Sequence, residues 1–309
     1  MDIGYLLLLQ NFREAIGGAL NGFLTFITNI AVNYYILIPA LIIFWIIDKK
    51  KGSIILMSWG LASALNAFLK VTFCVYRPWI RSKELMPLDE ALKEATGYSF
   101  PSGHSSSASG FYSSLAHAFK KHREIIIFSI TMILLTMFSR NYVGVHTPQD
   151  VIVGLAVGIA SSCLIIKLFN YIDGHPYYDW LIILIAVLLS ASLLAFIMLK
   201  NYPIDIVDGA VLVDPNKMTI DGFKDPGRFF GIFVACYIQE RFINFDTYGT
   251  AYQKFIRCLI GGLLVIAYWT IVCDWLGSYI NINWVHFLLQ ASCPIIFIDI
   301  YPLLFNKIL

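Results

Sequence analysis

The sequence predicts an all-α protein, a polytopic membrane helical bundle of about nine transmembrane helices. Three observations carry that prediction. Of 309 residues, 58% are apolar, 15% aromatic and only 14% charged, a balance that no soluble core requires. The apolar residues fall in runs long enough to cross a bilayer at about 20 residues per crossing. The polar chemistry gathers at the ends of those runs, in clusters at 70–78, 101–105 and 139–150. No separate soluble domain is visible, so residues 1–309 read as one integral membrane domain.

Taken in order, residues 1–16 hold an apolar run too short to span, ending in Gln10, Asn11, Arg13 and Glu14, which suits a helix lying at the interface. The first span is expected at about 23–47, stopping at Asp48 and three lysines, and the second at about 54–75. Arg77-Pro78 is expected to close that second helix, because a residue before proline is pushed out of the α region. Between 79 and 99, Leu85, Leu88, Leu92 and Ala95 recur at helical spacing and predict a short amphipathic helix at the interface. Spans three and four are expected at about 102–119 and 125–143, the latter stopped by Gly144. Thr147-Pro148-Gln149-Asp150 reads as a helix start, with a capping threonine, proline in the first turn and an acid at the third position. It opens the fifth span, about 151–168, and the sixth follows at about 180–199. An acidic loop is expected over 201–225, then spans at about 228–245, 255–275 and 284–305.

Charge marks topology more than partners. Twenty-two basic against 20 acidic residues leave a net charge of +2, too little for nucleic acid binding. Lys49, Lys50, Lys51, Lys120, Lys121 and Arg123 fall in loops after odd-numbered spans, which the preference of basic residues for the cytoplasm places inside. That puts the amino terminus and the three polar clusters outside. Six cysteines stand singly in apolar runs without CxxC spacing, which points to small buried residues, with neither a disulfide framework nor a zinc site.

The clusters carry the chemistry. Lys70 and Arg77 are seven residues apart, two helical turns, so both are expected to project from one face at the outer end of span two. Ser102, Gly103 and His104 fall in the first turn of span three, where amides without helical partners and the positive end of the dipole favour an anion. Arg140 ends span four, and His146 stands four residues before Asp150. A carboxylate one turn away fixes the tautomer of an imidazole and leaves its other nitrogen free as a nucleophile. Three cations would then surround the equatorial oxygens of a phosphoryl group, and His104 would protonate the leaving oxygen. A lone interfacial lysine or arginine is usually a snorkelling anchor. Ionisable groups co-located at the ends of adjacent spans are more often functional.

As written here, Lys70-x6-Arg77-Pro78, Pro101-Ser102-Gly103-His104 and Ser139-Arg140-x5-His146-x3-Asp150 resemble the tripartite signature of the phosphatidic acid phosphatase type 2 superfamily. The resemblance covers about residues 66–155 and implies a catalytic core near 52–170 with additional membrane helices at about 180–309. It implies His146 as nucleophile, Asp150 as its partner, His104 as acid, and Lys70, Arg77, Ser102, Gly103 and Arg140 as phosphate ligands. No cofactor and no metal is expected. Nine spans with an outer amino terminus look more like the glucose-6-phosphatase and sphingosine-phosphate phosphatase branches than the six-span lipid phosphatases. The expected activity is metal-independent hydrolysis of a lipid phosphate monoester or diphosphate at the outer face, in the plasma (inner) membrane if the chain is bacterial. Membrane lipids are the expected surroundings, and polyprenyl diphosphate, phosphatidic acid, phosphatidylglycerol phosphate and sphingoid phosphate all fit. A phosphotransferase would use the same phosphohistidine. A transporter or flippase predicts inverted repeats, which the sequence does not display.

Overall fold

The computed structural model describes residues 2–92, 95, 97–207, 210–243 and 245–305. The first helix, α1 (Asp2–Ala15), is the short amino-terminal one. Its Arg13 is buried and donates to the carbonyl oxygens of Tyr142 at 3.2 Å and Met86 at 2.5 Å, and Asp2 pairs with Arg81 at 2.7 Å. These contacts pin α1 across the loops that carry the polar clusters. The first predicted span is a bent pair, α2 (Asn21–Asn29) and α3 (Asn33–Ile46), with 52° between its halves.

Asp48 caps α4 (Lys49–Phe73) by accepting from the Lys51 amide at 2.9 Å. This helix ends earlier than expected, at Cys74, a left-handed residue with φ 49° whose N–H closes on the Lys70 carbonyl. Arg77 and Pro78 therefore do not close α4. Arg77 is extended, as its position before proline demands, and caps α5 (Pro78–Arg81), which has Pro78 in its first turn. Lys70 and Arg77 thus do not share a helix face, and the turn at Cys74 brings them together instead. In the amphipathic stretch the described helix is α6 (Asp89–Leu92); Lys93 and Glu94 lie outside the described residues.

The next four helices are α7 (Gly103–Ala118), α8 (Arg123–Tyr142), α9 (Pro148–Gly174) and α10 (Leu181–Leu199). Gly144, with φ 80°, makes the turn after α8 that a side chain would strain. A two-residue antiparallel pairing, Ile206 with Val211 and Val207 with Ala210, interrupts the following loop. The loop expected over 201–225 is half helix: α11 (Pro215–Phe242) starts where the Asp214 carboxylate accepts from the Asn216 amide and proline takes the first position. Proline and an acidic cap read as loop in sequence are here a helix start. Then come α12 (Ala251–Ala267), continued by a π-helical stretch Tyr268–Leu276, and α13 (Asn283–Ile295), continued by π-helical Ile296–Ile300 and a 3-10 turn Tyr301–Leu304.

The architecture is an all-helical membrane bundle, in which helix length and composition by themselves mark fewer than nine spans among the described residues. Six described helices are long and apolar enough to cross a bilayer, or seven with the bent pair. Of the other two expected spans, α7 has only 16 residues, and α11 carries Lys217, Asp221, Lys224, Asp225 and Arg228 in its first half. Both are held by protein on their flanks. α7 is wedged between α4, α8 and α9, while α11 lies against α4, α10 and α13. The wedge depends on small residues: a Cβ on Gly158 of α9 would stand 1.9 Å from Ser109 Oγ, and Ser162 Oγ donates to the Gly110 carbonyl at 2.8 Å. Outer helices instead turn apolar residues outward, as in the Pro176–Leu199 segment, whose most apolar window has only 33% of its residues buried; that surface requires lipid. The chain is an integral membrane protein.

Candidate active site

The start of α9 positions the central histidine. Thr147 Oγ1 accepts from the Asp150 amide at 3.4 Å, and the Asp150 carboxylate accepts from the Thr147 amide at 2.8 Å, a reciprocal capping box. The same Asp150 Oδ2 lies 3.3 Å from His146 Nδ1. One residue therefore caps the helix and orients the imidazole. Ser99 Oγ donates to Asp150 Oδ2 at 2.5 Å and sits 3.5 Å from His146 Nδ1. Asn141 Nδ2 holds the His146 carbonyl at 2.9 Å. His146 is 1% exposed and Asp150 2%.

On the other side of the ring, Arg77 Nη1 lies 3.0 Å from His146 Nε2. Its Nη1 also donates to the Val145 carbonyl, and its Nε to the Gly97 carbonyl, each at 3.1 Å. Arg140, fully buried, donates from Nη1 to Thr28 Oγ1 at 2.8 Å, and Lys70 Nζ donates to the Tyr98 carbonyl at 3.0 Å. Burial first, then the Arg77 and Arg140 guanidiniums and the Lys70 ammonium, holds His146 well below the ordinary imidazole value of 6.5. The imidazole is neutral at physiological pH.

Lys70, Arg77, Gly103, His104, Arg140 and His146 all line one cavity of about 250 Å³. Within it, His104 Nε2 has no hydrogen-bond partner among the described residues. Asp150 and Ser102 stand one layer back. Ser102 Oγ accepts from the Ser105 amide as the cap of α7, and the Ser102 amide donates to the Asp150 carbonyl at 2.9 Å, which locks the starts of α7 and α9 together. Three cations, two imidazoles and the first turn of a helix thus face one anion-sized space.

Most aromatic and basic side chains between Trp79 and Phe100 are held by neighbours, outside the cavity. Trp79 packs 5.7 Å from the Arg77 guanidinium, Arg81 is held by Asp2, Tyr98 is buried, and Phe100 packs on Phe73 at 5.2 Å; Lys83 is exposed. The opposite wall was missed. It is α11, whose Asp221, Lys224, Asp225 and Arg228 line the same cavity. Their spacing marks one helix face, a signal hidden by reading residues up to 225 as loop. Lys224 pairs with Asp221 at 2.7 Å and Arg228 with Asp225 at 3.0 Å. Arg228 also reaches Gln290 of α13 and lies between the rings of Trp59 and Trp269. Ser99 and Thr28 were missed as well, and no local pattern announces them. Among the described residues, no three His, Cys, Asp or Glu side chains group as metal ligands, and the six cysteines are free.

A helical membrane bundle with such a site defines a class, and comparison with known proteins gives its family. The model of the PAP2 superfamily matches residues 51–174, and that of the PAP2 superfamily phosphatase transmembrane extension matches 223–309. The chain is 30% identical over 161 residues to the undecaprenyl-diphosphatase of Sulfolobus acidocaldarius, covering 52% of this chain and 75% of that protein. To phosphatidylglycerophosphatase B of Bacillus subtilis it is 29% identical over 172 residues, 49% of this chain and 80% of the relative. A 66-residue stretch is 44% identical to the lipid A 1-phosphatase of Rhizobium johnstonii, covering 21% and 26%. The protein belongs to the PAP2 superfamily. No solved structure matches it.

Proposed function

We propose that this protein is a membrane phosphatase that hydrolyses a lipid phosphate monoester or diphosphate through a phosphohistidine, at the extracytoplasmic face. The observation that carries the reading is the convergence of Lys70, Arg77, Arg140, His104 and His146 on one cavity, with Asp150 behind His146. The names of the three relatives, all phosphatases or diphosphatases of lipids, support it.

His146 Nε2 attacks phosphorus, the bond to the lipid oxygen breaks, and that oxygen takes its proton from His104. Water then attacks the phosphohistidine, gives a proton back to His104, and phosphate leaves. Lys70, Arg77 and Arg140 stabilise the charge on the equatorial oxygens. In this reading the catalytic core spans about 52–170, and the helices at about 180–309 complete the pocket wall. The side chains supply the positive charge that a metal pair supplies elsewhere.

The test is phosphate release by the purified protein from phosphatidic acid, phosphatidylglycerol phosphate, a polyprenyl diphosphate and a sphingoid phosphate. Release from at least one, persisting in EDTA and blocked by vanadate, is expected. Release from none overturns the reading, and loss in EDTA restored by magnesium overturns the metal-independent mechanism.

A further inference from the structure

The catalytic cavity continues past α11. Asp221 and Lys224 line it and also line a second cleft of about 840 Å³, between the first turns of α11 and the chain joining the π-helical stretch after α12 to α13. The ion pair between them stands at the junction of the two spaces. The cleft is within the size range of small-molecule sites, and polar groups make up somewhat more than half of its walls, beside Ile220, Cys273 and Ile280. Asn216, Thr219, Asn281 and Asn283 contribute amides and a hydroxyl, and Asp274 a carboxylate.

The chemistry of these walls selects a ligand class. An acyl or prenyl chain would have to strip water from the amides and carboxylates that make up the larger share of these walls. A second phosphate is disfavoured too: the cleft holds three aspartates (Asp214, Asp221, Asp274) against two lysines (Lys217, Lys224), and Lys224 and Arg228 are already neutralised by carboxylates. What remains matched is a neutral group that donates and accepts at neighbouring atoms. Vicinal hydroxyls donate to carboxylates and amide oxygens and accept from amide and ammonium hydrogens.

We propose that the cleft binds a polyhydroxylated group, glycerol- or sugar-like, whose oxygen reaches the phosphoryl pocket past the Asp221–Lys224 pair. This rests on the phosphoryl site of the proposed function. The group is either the substrate's own headgroup or a free polyol acceptor. In the second case the polyol oxygen attacks the phosphorus of the phosphohistidine, its proton passes to His104, and the P–N bond breaks to regenerate His146.

The full chain in detergent micelles is dialysed to equilibrium against labelled glycerol phosphate and, separately, labelled inorganic phosphate. Wild type is expected to retain glycerol phosphate about tenfold more tightly than phosphate. A variant carrying Asn216→Ala, Asn281→Ala and Asn283→Ala should lose that preference while keeping its phosphate affinity. Equal retention of both compounds by wild type, or equal weakening of both by the variant, overturns the subsite. A wild type that retains neither sinks the phosphoryl reading and the subsite together, whereas one that retains phosphate alone sinks only the subsite. The source is read from kinetics. Preference for phosphatidylglycerol phosphate over phosphatidic acid of matched chains marks a headgroup, and labelled glycerol phosphate formed from labelled glycerol and phosphatidic acid marks an acceptor. Absence of both effects would overturn a role for the cleft in the reaction.

Discussion

Arg77 Nη1 lies 3.0 Å from His146 Nε2. A guanidinium can only donate, so Nε2 carries the lone pair and the Nδ1 hydrogen faces Asp150 at 3.3 Å. Arginine and carboxylate together select one tautomer, and they leave the nitrogen toward the cavity unprotonated, with its lone pair. Because Arg77 also spans the Gly97 and Val145 carbonyls, a point charge cannot replace its fork. Arg77→Lys is expected to lose about 100-fold in kcat/KM, on the order of 3 kcal/mol, and Arg77→Ala little more. Near-wild-type phosphate release by the lysine variant would refute this account of the fork.

Ser99 touches Asp150 and His146 without lining the cavity. Ser99→Ala should lower kcat about tenfold and leave KM unchanged, and Ser99→Thr should recover part of the loss. A change in KM alone would assign Ser99 to substrate binding instead.

The two histidines separate by leaving group. His146→Ala should be inactive on lipid phosphates and on p-nitrophenyl phosphate alike, since it removes the covalent step. His104→Ala should keep measurable activity on the aryl phosphate, whose leaving group needs no proton, and should be the variant in which phosphoprotein is trapped. Phosphorylated His104 found in the His146→Ala protein would reverse the roles.

His146 also sets an acid-side stability term. Above pH 6.5 the imidazole is neutral in both folded and unfolded states and contributes no pH dependence. Below it, the unfolded chain binds a proton that the folded site, its affinity lowered by burial and three cations, does not. Stability therefore falls as pH drops from 6.5 toward the folded value. The Tm in detergent of wild type should fall more between pH 7.5 and 5.5 than that of His146→Asn; equal falls would contradict the assignment.

For topology, cysteines at Ser105 or Thr147 would be mute, because both positions are buried. Met86 is 65% exposed on the loop whose Leu88 amide donates to the Val143 carbonyl, three residues before His146. In a cysteine-free background, Met86→Cys should react with an impermeant maleimide on intact cells, and Tyr248→Cys only after permeabilisation. The reverse pattern would invert the orientation proposed here.

What can be read from the order of residues alone is local or periodic. Apolar runs declare membrane helices because an unpaired backbone cannot enter lipid. His146 and Asp150 lie one turn apart, the Thr147 capping box spans four residues, and ionisable groups at the ends of runs are too costly to be incidental. Tertiary structure decided everything that joins distant segments. Whether the chain bends at Cys74 or at Pro78, which hydroxyl meets Arg140 from 112 residues away, and how α11 becomes the far wall of the pocket depend on which faces pack. Asp221, Lys224, Asp225 and Arg228 announce a helix face by their spacing, but not what that face meets. Periodicity states only that a face needs a partner; close packing of glycines and serines between α4, α7 and α9, and of Gly231 on Ala291 between α11 and α13, chooses it, because only those surfaces approach closely enough to shut lipid and water out of the site.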